Sequence, residues 1–301
     1  MMPKRNRVLF EKIIESSLFL CSFISVIITA AIFIILMTES IPFFKKINLK
    51  DIFFSTQWSP LFEKPQYGIW ALISGTLMTT VVALFAALPI AIIIAIFLSE
   101  FTNARLRNIL KPIVELLAAI PTVVYGYFAL LIVTPFLKKI FPEISTFNAL
   151  SAGLTIGMMI IPYISSLSED ALQAVPNHLR EASLSMGASR FQTSFFIVLP
   201  AAFSGVISAL VLGISRAIGE TMIVAIAAGL EPKFSFNVFE STETLTAFIV
   251  QVSQGDLPHG SIGYQTIYVC GLMLFIFTLI LNSLALFIKN KYHQNTRSGQ
   301  V

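Results

Sequence analysis

The chain has 301 residues, of which 56% are hydrophobic and only 12% charged, and its mean hydropathy is +0.83. That excludes a soluble domain with an ordinary polar surface, in which about a quarter of residues carry charge. The net charge of +4 is small, so the basic residues matter by position rather than by total.

Residues 1–12 form a basic lead (Lys4, Arg5, Arg7, Lys12), and an apolar run at 18–37 follows. That run is long enough to cross a ~30 Å hydrocarbon core. A cleaved signal peptide has a shorter apolar core with a small-residue site behind it. Thr38-Glu39-Ser40-Ile41-Pro42 is a poor site, so the run reads as an uncleaved first span. Segment 38–69 is punctuated by Ser-Pro, Lys-Pro and Tyr-Gly, and Trp58 and Trp70 suit an interfacial position.

Five further spans are predicted at 70–98, 113–137, 149–167, 196–229 and 262–288, each bounded by charges or Gly/Pro-rich turns. The expected fold class is therefore an all-α polytopic membrane protein with six transmembrane helices. Cys21 and Cys270 lie inside apolar runs far apart and read as small buried hydrophobes, with no disulfide framework.

With an even count, both termini share one side. Segments 1–17, 99–112, 168–195 and 289–301 carry twelve Lys and Arg, against seven in 38–69, 138–148 and 230–261. The positive-inside rule then places both termini in the cytoplasm. On the opposite side, 230–261 is richer in acid (Glu231, Glu240, Glu243, Asp256), a docking surface for an external partner or an ordinary solvated loop.

Several spans carry packing devices. Pro89, Pro121, Pro135 and Pro162 interrupt helical hydrogen bonding, with Ile120-Pro121 a break inside the third span. Gly153 and Gly157 admit a close neighbour to the fourth.

Between the fourth and fifth spans lies EASLSMGASRFQTSFFIVLP, residues 181–200. Leu179, Ala182, Ser183 and Met186 fall on one helical face. Gly187 sits where a helix ends, and Ser189 with Gln192 has capping-box spacing for a second helix. A helix–glycine–helix knuckle is predicted at the membrane surface, a shape another protein can grip.

The fifth span holds Arg216-Ala217-Ile218-Gly219-Glu220-Thr221. Each charge at membrane depth costs about 2.5–3.5 kcal/mol on insertion scales and needs a reason. At helical spacing Arg216 and Glu220 share a face with Gly205, Ala209 and Gly213, while Ile207, Val211, Ile214 and Ile218 lie opposite. A structural ion pair and an anion contact both fit that pattern. For the second, arginine suits a phosphate oxyanion through its planar fork of donors.

Glu181-Ala182, Gly187 five residues after Ala182, and the closing Leu199-Pro200 resemble the EAA loop of the binding-protein-dependent ABC-importer permeases. The resemblance implies a MetI-like permease fold and a coupling helix (Glu181, Ala182, Gly187, Ala188) that docks into a cytoplasmic ATPase. Ile120-Pro121-Thr122-Val123-Val124-Tyr125-Gly126 and the RAIGET segment are similar to stretches of the phosphate-type members. This implies a substrate path at Arg216, Glu220 and Thr221. It further implies half of a translocation path for inorganic phosphate in a bacterial inner membrane, with a homologous permease, two ATP-binding subunits and an external phosphate-binding protein. On that division, 1–69 is the basic tail, first helix and external loop. Residues 70–290 are the five-helix core with coupling loop 168–195, and 291–301 a cytoplasmic tail.

No GxxxxGK[ST] is present, so ATP must be held by another subunit. His178, His259 and His293 are too scattered for a metal site, and no nucleophile–base arrangement stands out. No enzyme, cofactor, metal or nucleic-acid partner is expected. The partner permease of the same transporter, a permease for another anion, and an ion-coupled secondary transporter using Arg216–Glu220 remain as alternatives. The last lacks the repeated halves common in that class.

Overall fold

The computed structural model describes residues 4–60, 62, 64–256, 258 and 260–298, with side chains described for these except 4–10, 256 and 288–298. Lys4, Arg5, Arg7, Asp256, His259 and His293 therefore lie outside the described side chains. The chain is helical almost throughout. In order come α1 (Lys4–Lys46), α2 (Leu49–Phe54), α3 (Trp70–Ile96), α4 (Ala104–Ala119), α5 (Thr122–Phe128), α6 (Thr134–Ile140) and α7 (Ala149–Gln173). There follow α8 (Asn177–Ser185), α9 (Arg190–Thr193), α10 (Leu199–Ala201), α11 (Phe203–Ile218), α12 (Met222–Ala227), α13 (Leu245–Gln251) and α14 (Ile262–Ser298). Single π-helical turns join α3 to Phe101, α5 to α6, and α9 to α10.

Five helices among the described residues are long and apolar enough to cross a membrane: Glu11–Lys46, Trp70–Phe101, Thr122–Ile140, Ala149–Gln173 and Ile262–Phe287. A sixth is reached if Arg190–Ala201 and Phe203–Ile218, bent by 73° at Ala202, count as one. Two predicted spans are thereby corrected. The third was placed at 113–137. Instead Pro121, with ψ 138°, ends one helix and starts another; its ring disfavours the α-conformation in the residue before it, and Ile120 is extended at ψ 129°. Residues 104–119 become α4, an amphipathic helix with no buried residue. The fifth, expected to run from 196 to 229, is broken at Ala202 and again at Gly219–Thr221. The tail at 291–301 is helical as far as Ser298.

Helices α3 and α7 form the centre. Ala83, Ala87 and Ala91 make a ridge of small side chains at one-turn spacing on α3. Opposite stand Ala152, Ile156, Met159, Ile160 and Ile164 of α7, all fully buried or nearly so. Gly153 and Gly157 play the part expected of them. A Cβ on Gly153 would fall 2.6 Å from that of Val82, and one on Gly157 2.9 Å from the Ala83 carbonyl oxygen. In lipid, where apolar side chains gain nothing by leaving the solvent, such close backbone approach is what binds helices.

Three buried hydroxyls of α3 are satisfied within their own helix. Thr76, Thr79 and Thr80 each donate back to the carbonyl four residues earlier, at 2.7–2.9 Å. Helices α1 and α14 pack against each other beside the core, and α1 presents Leu18, Phe19, Ile24 and Val26 outward, as lipid contact requires. Cys21 shares that exposed helix and is not the buried hydrophobe expected, whereas Cys270 is buried. Trp58 is likewise no interfacial anchor. It is 2% exposed, bridged to Tyr67 and packed edge-on against Phe248 at 5.0 Å.

The polar face of α4 is fastened to α7. Lys111 reaches Glu169 at 2.7 Å and Asp170 at 2.6 Å, and Arg107 lies 3.7 Å from Glu169, which is 1% exposed. Burial alone would lower the Lys111 pKa, but the bonds to the two carboxylates hold it above its ordinary value. Its stabilising contribution is therefore complete below the unfolded value and is lost only as pH rises through the raised one. The opposite face of α4 (Leu106, Ile109, Ile113, Leu116) is exposed.

Candidate functional site

At one end of the bundle, residues 177–200 form the knuckle that the glycine and cap spacing predict. Pro176 opens α8, its missing N–H harmless where no helical partner exists. Gly187 closes α8 at φ +86°. Its N–H donates to the Leu184 carbonyl at 3.0 Å, and that of Ala188 to Ser183 at 3.2 Å. This pairing defines a Schellman stop. Ser189 starts the next helix with a reciprocal box: the Gln192 N–H donates to Ser189 Oγ, and the Ser189 N–H to Gln192 Oε1. Ser183 and Thr193 join the two helices through their hydroxyls at 2.9 Å.

The surface offered is small and clear. Glu181, Ala182 and Gly187 are exposed and Ala188 is half-buried. Met186, 88% exposed, stands at the tip beside Leu184. The face expected to unite Leu179, Ala182, Ser183 and Met186 is split. Leu179 packs beneath the knuckle against a cluster that includes Leu172, Val175 and Val198, while Met186, on the residue that ends α8, turns outward.

The second place of interest is the break between α11 and α12. The small face of α11 is as expected, with Gly205 against Ala171 and Gly213 against Ile164 of α7. Ile218, expected opposite, is buried instead because the helix ends there and turns inward. Arg216 sits in the last turn of α11, exposed. Its guanidinium carbon lies 4.0 Å above the ring centroid of Tyr163, a cation–π contact.

Glu220 is not its partner. Gly219 and Glu220 leave the helix, and the Glu220 carboxylate turns forward to accept the N–H groups of Met222 (3.1 Å) and Ile223 (3.3 Å). The expected Arg216–Glu220 pair is thus corrected: helical spacing applies only if the helix continues, and it does not. The Glu220 carbonyl accepts from Thr246 Oγ1 at 2.6 Å, and Thr221 Oγ1 donates to the Gly219 carbonyl. Irregular backbone at membrane depth survives only when so satisfied. The result is an exposed guanidinium beside the kink, with no carboxylate partner among the described residues. Such a group offers paired donors to an oxyanion.

Sequence reasoning missed three features. Tyr163 lies under Arg216. Glu169 is buried with two cations. Arg180, one residue before Glu181, is locked to Glu100. Only the last had a signal, a charge of its own beside the knuckle's first acid. At the other end, Lys233 and Asn237 bond to Glu240 and hold its carboxyl below the usual range.

A family described as binding-protein-dependent transport system inner membrane component matches residues 87–294. The probable ABC transporter permease protein YqgH of Bacillus subtilis (strain 168) is 34% identical over 272 residues, covering 88% of this chain and 87% of that one. The phosphate transport system permease protein PstC of Xylella fastidiosa (strain 9a5c) is 34% identical over 248 residues, 76% of this chain and 75% of its own. Among solved structures, a bacterial ABC transporter involved in the import of the acidic polysaccharide alginate aligns with a TM-score of 0.63 at 18% identity, over 94% of this chain and 98% of the other. The MetNI methionine ABC transporter aligns with a TM-score of 0.55 at 19% identity, over 75% of this chain and 94% of the other. Both likenesses are of fold.

Proposed function

Given that the chain belongs to the binding-protein-dependent transport system inner membrane components, we propose that it is the membrane permease subunit of an ATP-driven importer of inorganic phosphate. The observation that carries the anion is Arg216, exposed on Tyr163 at the α11–α12 break and paired with no carboxylate among the described residues. A guanidinium stays charged at any relevant pH and presents its donors in a plane. The name of the Xylella fastidiosa relative supports phosphate over other oxyanions. In this reading Arg216 meets the anion, while Glu220 and Thr221 shape the kink that holds Arg216 in place.

The knuckle at 181–200 is the contact for a cytoplasmic ATPase, through Glu181, Ala182, Gly187 and Ala188. The full transporter then comprises this chain, a homologous permease, two ATP-binding subunits and an external phosphate-binding protein. Binding-protein-dependent uptake of labelled phosphate by the assembled transporter tests the reading. Phosphate should be taken up and should resist competition by excess sulfate or molybdate. Uptake abolished by sulfate or molybdate, or none of phosphate, would reassign the anion.

The knuckle must face the cytoplasm for this, with both termini on the same side. Reporter fusions after Lys64 and after Glu243 should read as external, and those after Asn177 and after Tyr292 as cytoplasmic. The twelve-to-seven distribution of basic residues supports that orientation. A cytoplasmic signal at Lys64 would overturn it.

A further inference from the structure

We infer that Arg180 is a positioning residue which, through Glu100, latches the coupling knuckle to α3 and makes α3 the helix that moves with it. The inference rests on the reading of the knuckle as the ATPase contact. Every N–H of this guanidinium is used. Nε donates to Glu100 Oε2 at 3.1 Å. Nη2 donates to Glu100 Oε1 and to the Leu172 carbonyl, both at 2.8 Å. Nη1 donates to the Val175 carbonyl at 2.6 Å and more weakly to Asn177 Oδ1 at 3.4 Å.

The fork thus grips the turn that ends α3 by a two-pronged carboxylate bond, and the exit of α7 by the carbonyls of Leu172 and Val175. The side chains are only 18% and 8% exposed, and Ser99 Oγ supplies Glu100 Oε1 with a further donor at 2.9 Å. Lysine, with three donors on a point charge, cannot reproduce this geometry.

What lies at the far end of α3 gives the latch its meaning. Thr76 Oγ1, buried in α3, accepts the N–H of Leu245 at 3.1 Å, the first residue of α13. The next residue, Thr246, holds the Glu220 carbonyl in the break that carries Arg216. Helix α3 with its π-helical turn therefore touches the knuckle at Glu100 and, through Thr76 and α13, the kink beside Arg216. Position between two sites is not coupling, so the test must follow the movement itself.

Spin labels at His178→Cys and Thr102→Cys, with Cys21 and Cys270 replaced by alanine, report the α8–α3 distance in the permease assembled with its ATPase subunits. With Arg180 and Glu100 intact, that distance should be the same without nucleotide and with ATP bound. In Arg180→Gln or Glu100→Gln it should change with nucleotide. Transport per ATP hydrolysed should fall about tenfold, as loss of a charged hydrogen-bonded pair predicts, with Arg180→Lys rescuing little.

A distance that changes with ATP while the latch is intact would overturn the inference. So would variants that keep wild-type transport per ATP, or variants that lose the ATPase altogether, since Arg180 would then serve assembly. Failure of the unaltered complex to move phosphate would instead overturn the anion reading. The distance measurement stands whatever the anion is.

Discussion

Arg216→Lys is expected to lower binding-protein-dependent phosphate uptake about tenfold, and Arg216→Gln about a hundredfold, because a charged hydrogen bond is worth roughly 1.5–3 kcal/mol. Abundance in the membrane should not change in either case. The side chain is exposed and pairs with no carboxylate among the described residues, so removing it strands no buried charge there. What it gives up is a cation–π contact with Tyr163, about 0.5–2 kcal/mol, and a favourable place at the end of α11, about 0.3–1 kcal/mol. Lysine keeps the second and part of the first. It loses the planar fork, so a defect in Arg216→Lys at normal abundance isolates the anion contact from packing.

Glu220 supplies the control. In Glu220→Gln an oxygen remains to accept the Met222 and Ile223 N–H groups, so most uptake should survive. Glu220→Ala removes that cap at about 0.5–2 kcal/mol and should loosen the kink. Exchanging the two charges is a poor experiment, since it would place donors where the backbone of α12 needs an acceptor. Wild-type uptake by Arg216→Gln would remove the arginine from the substrate path.

The elements that could be read from the chain are those governed by local rules. Gly187, Ser189 and Gln192 specify a stop and a start within five residues, and the Schellman and capping-box bonds follow from them. Gly153 and Gly157 admit α3 because nothing but a Cβ could keep it out. Five spans came through for the same reason, and a sixth as the pair bent at Ala202, as length and apolarity are additive along the chain.

The break at Pro121 was legible from its proline, but those of the fifth span were not. A run of apolar residues looks alike whether the helix continues or stops. The stop at Gly219 depends on Thr246, twenty-six positions beyond Glu220, to satisfy the Glu220 carbonyl. Helical spacing therefore paired Arg216 with Glu220, although the helix carrying the first does not reach the second. The ion-coupled alternative lost its coupling pair with that correction. Likewise Glu169-Asp170 gives no local hint that Glu169 is buried and Asp170 exposed, because α4 decides it from a distance.

Gly187→Val should leave the permease inserted and folded but uncoupled. At φ +86° the position lies in the left-handed region, which costs an L-residue about 1–2 kcal/mol and a β-branched one more. No atom lies within 4 Å of where a Cβ would stand, so crowding contributes nothing and the backbone conformation is the whole effect. Valine should release the N–H bonds from Gly187 to Leu184 and from Ala188 to Ser183, letting the last turn of α8 unwind and carrying Met186 off the tip. The second helix has its own box at Ser189 and Gln192 and should persist. The expected result is an ATPase that dissociates, or hydrolyses ATP with uptake reduced tenfold or more, as strain of about 1–3 kcal/mol at one joint allows. Asparagine separates conformation from bulk. It adopts the left-handed region more readily than other non-glycine residues, so Gly187→Asn should retain much of the coupled uptake and Gly187→Ala should fall between. Equal loss in Asn and Val would show that the ATPase cannot accept any side chain at this point of the knuckle, and would move the explanation from backbone strain to interface fit. Normal coupled uptake in Gly187→Val would remove the knuckle as the ATPase contact, because its tip would then have moved without consequence.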